Sequence, residues 1–427
     1  MIVEQQYDAI VIGAGPAGAS AAAILAEKGR RVALVERNAS ARYSVGESMI
    51  PFCWYPLERL GLVERLDKSG FVIPKHSVQF AGQSGRVSKP FYFFDHTDHA
   101  CARTWQVVRQ DFDELLRNNA QEKGAELLLG TTVKEFLRDV PAGAATQGAV
   151  SGVRALRENG DEVLLRAPIT IDASGRDTFS QVNQGWRVRD RTLHKHAIWT
   201  YYKGALRDEG VDEGTTTIAY LPEKGWFWYI PLVNDIVGVG LVADKGYLYR
   251  EKGSSEEIFE REVQLQEWIR ERLLTGRRVE DFRVTSDFSY RSKHCAADGL
   301  VLAGDAFSFL DPVFSSGIYF ALWSGVMAAD AVDAALAAGD TSAARFEAYG
   351  EHFRRQVEPM RRLVYAFYDG DFNFGNFLQR FPDFRSDLTD CLIGDLDRDF
   401  DPFFAAVSEF ATIPEPLPHG GPFMGLD

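Results

Sequence analysis

The chain has 427 residues, which is longer than one ordinary compact domain, so we expect two lobes or more. Apolar residues make up 45% and charged residues 25%, as in soluble globular proteins. Acidic residues outnumber basic ones by 61 to 47, and the net charge of -14 argues against non-specific binding to nucleic acid or an anionic membrane. We expect no stretch to reach the apolar length of a membrane span, and we therefore expect no such span and a cytoplasmic location.

The four cysteines are scattered along the chain and form no CxxC pair. They are Cys53, Cys101, Cys295 and Cys391. We therefore expect reduced thiols and no metal site, so the chemistry must come from elsewhere in the sequence.

A glycine-rich turn near the N-terminus separates a strand from a helix. Residues 7–12 read as a buried strand, residues 13–18 are GAGPAG, and a helix then leads to a second strand at residues 31–35. In such a βαβ unit the glycines permit the turn, the approach of a diphosphate and the packing of helix on strand. The helix N-terminus offers N–H groups to phosphates, and Glu36 can accept hydrogen bonds from ribose hydroxyls. The pattern predicts dinucleotide binding.

Three later segments separate FAD from NAD as the cofactor. QVVRQDFD at residues 106–113, DASGR at 172–176 and GLVLAGDA at 299–306 resemble segments of the FAD-dependent monooxygenase superfamily, of the hydroxybenzoate hydroxylase type. In that superfamily the segment with Arg109 meets the cofactor, and the segment with Asp305 places a carboxylate against its ribityl or diphosphate region. The resemblance implies that the cofactor is FAD.

These segments and their neighbours supply the predicted cofactor-binding residues. They are Gly13, Ala14, Gly15, Pro16, Ala17, Gly18, Glu36, Arg37, Gly46, Glu47, Ser48, Gln106, Arg109, Val133, Gly304, Asp305, Pro312, Gly317 and Ile318.

The predicted fold class is α/β, with a discontinuous Rossmann-like FAD-binding domain. Its segments are residues 1–74, 103–185 and 285–345. Residues 75–102 are rich in Phe, Tyr and His, and segments within residues 186–284 alternate as antiparallel strands do. We expect these two ranges to form a sheet that caps the flavin and forms the substrate cavity. Residues 346–427 are predicted to be helical and to shape that cavity. The pattern of their aromatic residues indicates the core-facing side of amphipathic helices. A wall of the substrate cavity is the alternative.

The segment GWFWYIP at residues 225–231 has two tryptophans two positions apart. It matches W-x-W-x-I-P, the signature of the flavin-dependent halogenases, which this chain resembles. In that family the segment lies beside a tunnel near the flavin, so the resemblance implies that Trp226, Trp228 and Pro231 are tunnel residues. An aromatic strand of the capping sheet is the other interpretation.

Lys75 follows the segment GESMIP at residues 46–51, which is similar to the halogenase pattern G-E-S-x-I-P. The resemblance implies that Lys75 lies at the far end of the tunnel from the flavin and is catalytic. An ammonium group in a partly buried pocket can hydrogen-bond hypohalous acid, or react with it once neutral, since burial lowers a lysine pKa. A solvated loop lysine is the alternative.

DPVFSSGI at residues 311–318 leads into a helix, and a helix N-terminus with Ser and Gly suits an anion. The halide and flavin residues implied by the resemblance are Ser315, Ser316 and Gly317. Tryptophan halogenases carry a glutamate two residues before the Ser/Thr-Gly pair, whereas this chain has Phe314. The resemblance therefore favours the branch that acts on phenols, pyrroles and carrier-tethered acyl groups. In one type of halogenase an aspartate in this segment bonds covalently to the flavin. Asp311 could form the same bond, but the absence of such a bond is favoured.

Together these matches imply an FADH2-dependent halogenase supplied with reduced FAD by a separate flavin reductase. Oxygen and chloride or bromide give hypohalous acid, which Lys75 directs onto an electron-rich phenolic or pyrrolic ring, either free or tethered to a carrier protein. A reductase of the geranylgeranyl-reductase type, an aromatic monooxygenase and a non-catalytic flavin-binding partner of a carrier protein are the alternatives. Turnover without halide would favour the reductase.

Overall fold

A computed structural model describes residues 3–40, 43–139, 148–286, 289–370, 372–418 and 420–424. Sheets and helices alternate through its first part, and its C-terminal part is helical, so the predicted α/β class is confirmed. In the described part of the chain, no group of three or more His, Cys, Asp or Glu side chains could hold a metal ion.

A mostly parallel sheet forms the centre of the cofactor-binding lobe. Strands Ala9–Ile12 and Val32–Val35 pair in parallel, and helix Pro16–Glu27 connects them, as the glycine-rich turn predicts. Both strands are fully buried because helices and neighbouring sheet cover them. The order across the sheet is Ala296–Ala297, Leu300–Leu302, Ile169–Asp172, Ala9–Ile12, Val32–Val35 and Glu126–Leu128. The glycine-rich turn and Glu36 therefore lie at the carboxyl edge of the sheet, where such folds bind ligands.

A second large sheet covers the cavity. Its strands run in the order Arg277–Arg278, Lys195–Lys203, Ile236–Asp244, Trp226–Leu232, Thr216–Tyr220, Ser77–Ala81 and Phe91–Tyr92, and Arg283–Ser286 also pairs with Lys195–Lys203. Its pairs are antiparallel except that Thr216–Tyr220 runs parallel to Ser77–Ala81. The fully antiparallel expectation was wrong there because the chain passes through the other lobe between these strands, and such a crossover permits a parallel pair.

Three smaller sheets complete the strand pairing. One sheet has the order Val3–Gln6, Glu162–Arg166, Ala149–Arg157 and Thr131–Asp139. Another has the order Arg187–Arg189, Tyr290–Ser292 and Ser308–Phe309. Strand Val72–Lys75 pairs with Thr104–Val107, and Lys75 is its last residue.

The remaining helices pack around these sheets. They are Trp54–Arg59, Val63–Asp67, Arg109–Glu122, Phe179–Gln184, Lys245–Leu248, Ser255–Leu265, Glu267–Leu273, Gly317–Ala338, Glu347–Tyr368, Phe374–Arg380, Arg385–Ile393 and Asp401–Val407. The strands of the parallel sheet fall in the ranges assigned to the FAD-binding domain, and the domain boundaries themselves stay a prediction.

Helix Gly317–Ala338 is long and apolar enough to cross a membrane by length and composition alone. The expectation that no stretch would reach this length was therefore wrong. More than half of its most apolar window is buried in the protein, and it packs against helix Pro16–Glu27. A Cβ atom added at Gly325 would lie 2.3 Å from the carbonyl oxygen of Ala17, so the two helices are in very close contact. Its apolar character is that of a core helix.

Candidate active site

A groove of about 620 Å³ opens at the carboxyl edge of the parallel sheet. It brings together many of the predicted cofactor residues. Those lining it are Gly13, Gly15, Pro16, Glu36, Arg37, Arg109, Val133 and Asp305. Ala14, Ala17, Gly18 and Gly304 are buried, next to these residues in the chain.

The three glycines of the turn have different surroundings. Gly13 has a φ of +94°, and a Cβ there would lie 2.4 Å from the carbonyl oxygen of Ala173. A Cβ at Gly18 would lie 1.9 Å from the carbonyl oxygen of Gly13. A Cβ at Gly15 would meet no protein atom within 4 Å, because this glycine borders the open groove. The turn thus leaves space at Gly15 for a diphosphate, and the cradle fits FAD.

Glu36 is held as a carboxylate at the end of the second strand. Its Oε2 accepts from the Ala14 N–H at 3.0 Å and its Oε1 accepts from the Asn38 N–H at 3.0 Å. Burial opposes ionisation, but these hydrogen bonds and the Arg117 charge lower the pKa of Glu36. Arg117 also donates to the Ala14 carbonyl at 2.9 Å. The sequence analysis missed Arg117, although it lies two helical turns after Arg109 and so on the same face.

Arg109 fixes the loop that separates the groove from an inner cavity. Its guanidinium donates to the carbonyl oxygens of Val45 at 2.8 Å and Gly46 at 3.0 Å, and it pairs with Asp113 at 3.1 Å. Desolvation raises the pKa of Asp305 to about 6, against the opposing charges of Arg176 and Arg109. The loop and the Gly-Asp segment therefore meet where the groove continues inward.

The inner cavity has a volume of about 160 Å³ and lies between the two large sheets. The predicted site residues that line it are Pro16, Gly46, Glu47, Ser48, Arg109, Trp226, Trp228, Asp305, Pro312, Ser315, Gly317 and Ile318. Gln106 lies behind this wall, where it donates at 2.8 Å to the hydroxyl of Thr216, itself a lining residue.

The two tryptophans and Ile230 form one wall of the inner cavity. Side chains of a strand alternate between its faces, so Trp226, Trp228 and Ile230 share a face and Pro231 points to the other. Pro231 is buried on that side, and its role as a tunnel residue stays a prediction. Ile230 lines the cavity beside the two tryptophans.

The loop before helix Gly317–Ala338 forms the opposite wall. Ser315 has a φ of 58° and, with Gly317, borders the cavity. Ser316 is buried, and its carbonyl oxygen accepts from the Phe320 N–H as the first helical hydrogen bond. Phe314 points into an aromatic cluster with Phe367 and Phe374 rather than presenting a polar group. The halide role of the serines stays a prediction.

Tyr368 connects the two walls through hydrogen bonds to the buried residues Trp226 and Asp311. The indole N–H of Trp226 donates to its hydroxyl at 2.7 Å, and this hydroxyl donates to Asp311 Oδ2 at 2.9 Å. The other oxygen of Asp311 accepts from the Val313 N–H at 3.1 Å. Burial raises the pKa of Asp311 to about 6. Both carboxylate oxygens thus have protein partners, and the covalent flavin bond of Asp311 stays untested and less favoured.

Tyr368→Phe should destabilise the apoprotein by roughly 2–3 kcal/mol, because the Trp226 N–H and the Asp311 carboxylate would each lose a partner in a buried place. Urea unfolding at neutral pH measures the change. Tyr365→Phe is the matched control, since that hydroxyl donates to Asp190, which is less buried than Trp226 and Asp311. Equal midpoints for the two variants would contradict the structural role of Tyr368.

Lys75 is buried, with 2% of its surface exposed, between the cavity and the N-terminal helices. Its Nζ donates to Ser48 Oγ at 2.8 Å and to the Met49 carbonyl at 3.0 Å, and it lies 5.8 Å from the centre of the Phe93 ring. Burial lowers the pKa of Lys75 to about 7. Because Ser48 lines the inner cavity, one hydrogen bond separates the amine from that space.

The burial of Lys75 predicts a pH-dependent cost to stability. The pKa is about 7 in the folded protein and about 10.4 in an unfolded chain, so the cost is complete below pH 7 and disappears as the pH rises to 10.4. Lys75→Met should therefore raise the free energy of unfolding more at pH 6 than at pH 10, by roughly 3–5 kcal/mol. Denaturant titrations of both apoproteins measure this, and a constant difference would contradict it.

The parallel sheet, the glycine cradle and the oriented Glu36 define an FAD-binding oxidoreductase fold. Residues 8–49 match the family model described as FAD binding domain, and residues 75–374 match the one described as tryptophan halogenase. The chain belongs to the flavin-dependent halogenase family, and it is an FAD-dependent enzyme.

Relatives and a solved structure cover nearly the whole chain. It is 32% identical to a 1H-pyrrole-2-carbonyl-(peptidyl-carrier protein) brominase of Pseudoalteromonas luteoviolacea, over 91% of this chain and 92% of that protein. It is 29% identical to the corresponding chlorinase of Pseudomonas fluorescens, over 92% and 90%. The flavin-dependent brominase Bmp2 superposes with a TM-score of 0.84 at 29% identity, over 95% of this chain and 99% of that one.

Proposed function

We propose that this halogenase oxidises chloride or bromide in the inner cavity and that Lys75 directs the resulting hypohalous acid onto an electron-rich aromatic ring. The buried amine of Lys75, one hydrogen bond from the cavity, is the observation that carries the proposal. Reduced FAD together with oxygen supplies the oxidising chemistry. The protein's own residues bind the cofactor, bring the halide to it and separate oxidation from substitution.

Each wall of the cavity has a part in this proposal. The N-terminus of helix Gly317–Ala338, with Ser315 beside it on the cavity wall, holds the halide, because a helix N-terminus favours an anion. Trp226 and Trp228 fill the space through which an organic substrate would otherwise reach the flavin. A small neutral oxidant passes where an aromatic substrate cannot, which explains why a distant lysine matters.

Lys75 suits this task because its pKa is close to 7. Near neutral pH both its ammonium and its amine forms are present, so it can donate a hydrogen bond to hypohalous acid or react with it through a lone pair. Ser48, bonded to Lys75 Nζ and to the Thr216 hydroxyl, orients the amine toward the cavity.

The substrate is proposed to be a phenol or a pyrrole rather than tryptophan. Phe314 stands where a carboxylate would stabilise the intermediate on an indole ring, and it packs with two further phenylalanines. A phenol hydroxyl or pyrrole nitrogen supplies that stabilisation from within the substrate. The names of the two bacterial relatives support a ring tethered to a peptidyl carrier protein. A separate flavin reductase and a cytoplasmic location complete the proposal.

Incubation with FAD, a flavin reductase, NADH and bromide over a panel of substrates tests this function. The panel contains free phenols, free pyrroles, pyrrole-2-carbonyl bound to a carrier protein, and tryptophan, and mass spectrometry reads the bromine isotope pattern. We expect bromination of a phenol or pyrrole and none of tryptophan. Preferred bromination of tryptophan would overturn the substrate class, and the absence of bromination across the panel would favour the reductase alternative.

A further inference from the structure

We propose that Tyr43, Tyr201 and Glu47 form a path that carries protons from the cofactor groove into the inner cavity. This inference deepens the proposed halide oxidation, and its kinetic test depends on that function. A second test, on the apoprotein, does not.

The path is a continuous chain of hydrogen bonds. The indole N–H of Trp199 donates to the Tyr43 hydroxyl, which lies 2.6 Å from the Tyr201 hydroxyl. The Tyr201 hydroxyl donates to Glu47 Oε1 at 2.6 Å. Because an indole N–H can only donate, the proton of Tyr43 is available to Tyr201, and all the bonds point toward Glu47. When the glutamate is protonated, the two hydroxyls can reverse their direction.

The two ends of this chain lie in different spaces. Tyr43 is half-buried and lines the cofactor groove, whereas Glu47 is 5% exposed and lines the inner cavity. The capping sheet makes room for the carboxyl group, since a Cβ at Gly238 would lie 2.9 Å from Glu47 Oε2. The chain therefore crosses the wall that Arg109 and its loop build between groove and cavity.

The charges around the chain suit proton transfer near neutral pH. Burial raises the pKa of Glu47 to about 7, against the Tyr201 hydrogen bond and the Arg109 charge. From other elements, the Arg283 guanidinium lies 3.8 Å above the Tyr43 ring, and Asp305 lines the same cavity as Glu47.

Halide oxidation requires such a proton. The balanced reaction is X⁻ + O2 + FADH2 + H⁺ → HOX + FAD + H2O, in which halide and FADH2 each lose two electrons and oxygen gains four. One proton must therefore enter for each hypohalous acid. The O–H bond of Glu47 breaks and its proton leaves in the water formed, Tyr201 then protonates Glu47, Tyr43 protonates Tyr201, and solvent in the groove restores Tyr43.

Tyr43→Phe removes the hydrogen bond between Tyr43 and Tyr201 and leaves the one between Tyr201 and Glu47 in place. We expect hypohalous acid formation, with FADH2 and bromide supplied, to fall roughly tenfold or more, with a larger solvent isotope effect and recovery by a small acid such as imidazolium. Tyr229→Phe is the matched control, since its hydroxyl donates to the Leu206 carbonyl on the other face of the sheet. FAD binding and thermal unfolding confirm that both variants fold.

Infrared spectroscopy of the apoprotein gives the second readout, with Glu47→Gln assigning the carboxyl band. Tyr201→Phe should shift this band and raise the pKa of Glu47, because a hydrogen bond to the charged form is lost. An unmoved band, or a Tyr43→Phe rate and isotope effect equal to those of Tyr229→Phe, would overturn the path. If the wild-type protein oxidises no halide, the proposed function fails, and the infrared result alone then decides whether Tyr201 bonds Glu47.

Discussion

Lys75→Ala is expected to lower halogenated product by roughly 10²–10⁴-fold, the range found when a group that donates or accepts protons is removed. FAD binding and the oxygen-dependent reoxidation of the flavin should persist, because Lys75 lies on the far side of Ser48 from the inner cavity. Flavin absorbance, oxygen uptake and product mass spectrometry measure the three quantities separately.

Two further substitutions at Lys75 distinguish its possible roles. Arginine donates hydrogen bonds but stays charged, whereas methionine fills a similar volume, donates no hydrogen bond and carries no charge. Activity in Lys75→Arg would show that Lys75 acts by donating hydrogen bonds. Loss of activity in this variant would show that the neutral amine is required. Normal product formation by Lys75→Met would show that the lysine is not catalytic.

Gly15→Ala and Gly18→Ala are expected to fail in different ways although they lie three residues apart. At Gly15 the added Cβ meets no protein atom, so the apoprotein should keep its stability while FAD affinity falls roughly tenfold or more, since the methyl group stands where the diphosphate approaches. At Gly18 the Cβ would lie 1.9 Å from the Gly13 carbonyl, so the apoprotein itself should lose several kcal/mol.

Thermal unfolding of the two apoproteins and fluorescence titration with FAD measure these effects. Gly85→Ala is unsuitable as a control because Gly85 has a φ of +75°. Gly246→Ala serves better, since a Cβ there meets nothing within 4 Å and lies outside the groove. A destabilised Gly15→Ala apoprotein would contradict the assignment of that position to the cofactor.

The sequence predicted features whose physical causes are local in the chain. Gly13 has a φ of +94°, and Gly18 packs against the carbonyl oxygen of Gly13 five residues earlier, so the motif alone predicted the cradle. The tryptophans at 226 and 228 share a face because strand geometry alternates side chains. The same rule places Pro231 on the face opposite the two tryptophans.

Features that depend on distant parts of the chain could not be predicted. Tyr43 and Tyr201 are 158 residues apart, and only the packing of the capping sheet on the loop brings their hydroxyls together. Tyr368 lies in a region where the aromatic pattern favoured an apolar face, and its hydrogen bonds to Trp226 and Asp311 have no sequence signal. The parallel pair of capping strands likewise results from a long crossover.

The close contact of helices Pro16–Glu27 and Gly317–Ala338 has an electrostatic consequence. Both helices begin at the inner cavity, where Pro16 and Gly317 line the wall, so the positive ends of two helix dipoles converge there. Each is equivalent to about half an elementary charge. Although the net charge of -14 repels anions at long range, these two helix ends therefore favour an anion at this wall, beside the carboxyl groups of Glu47 and Asp305 that line the same cavity.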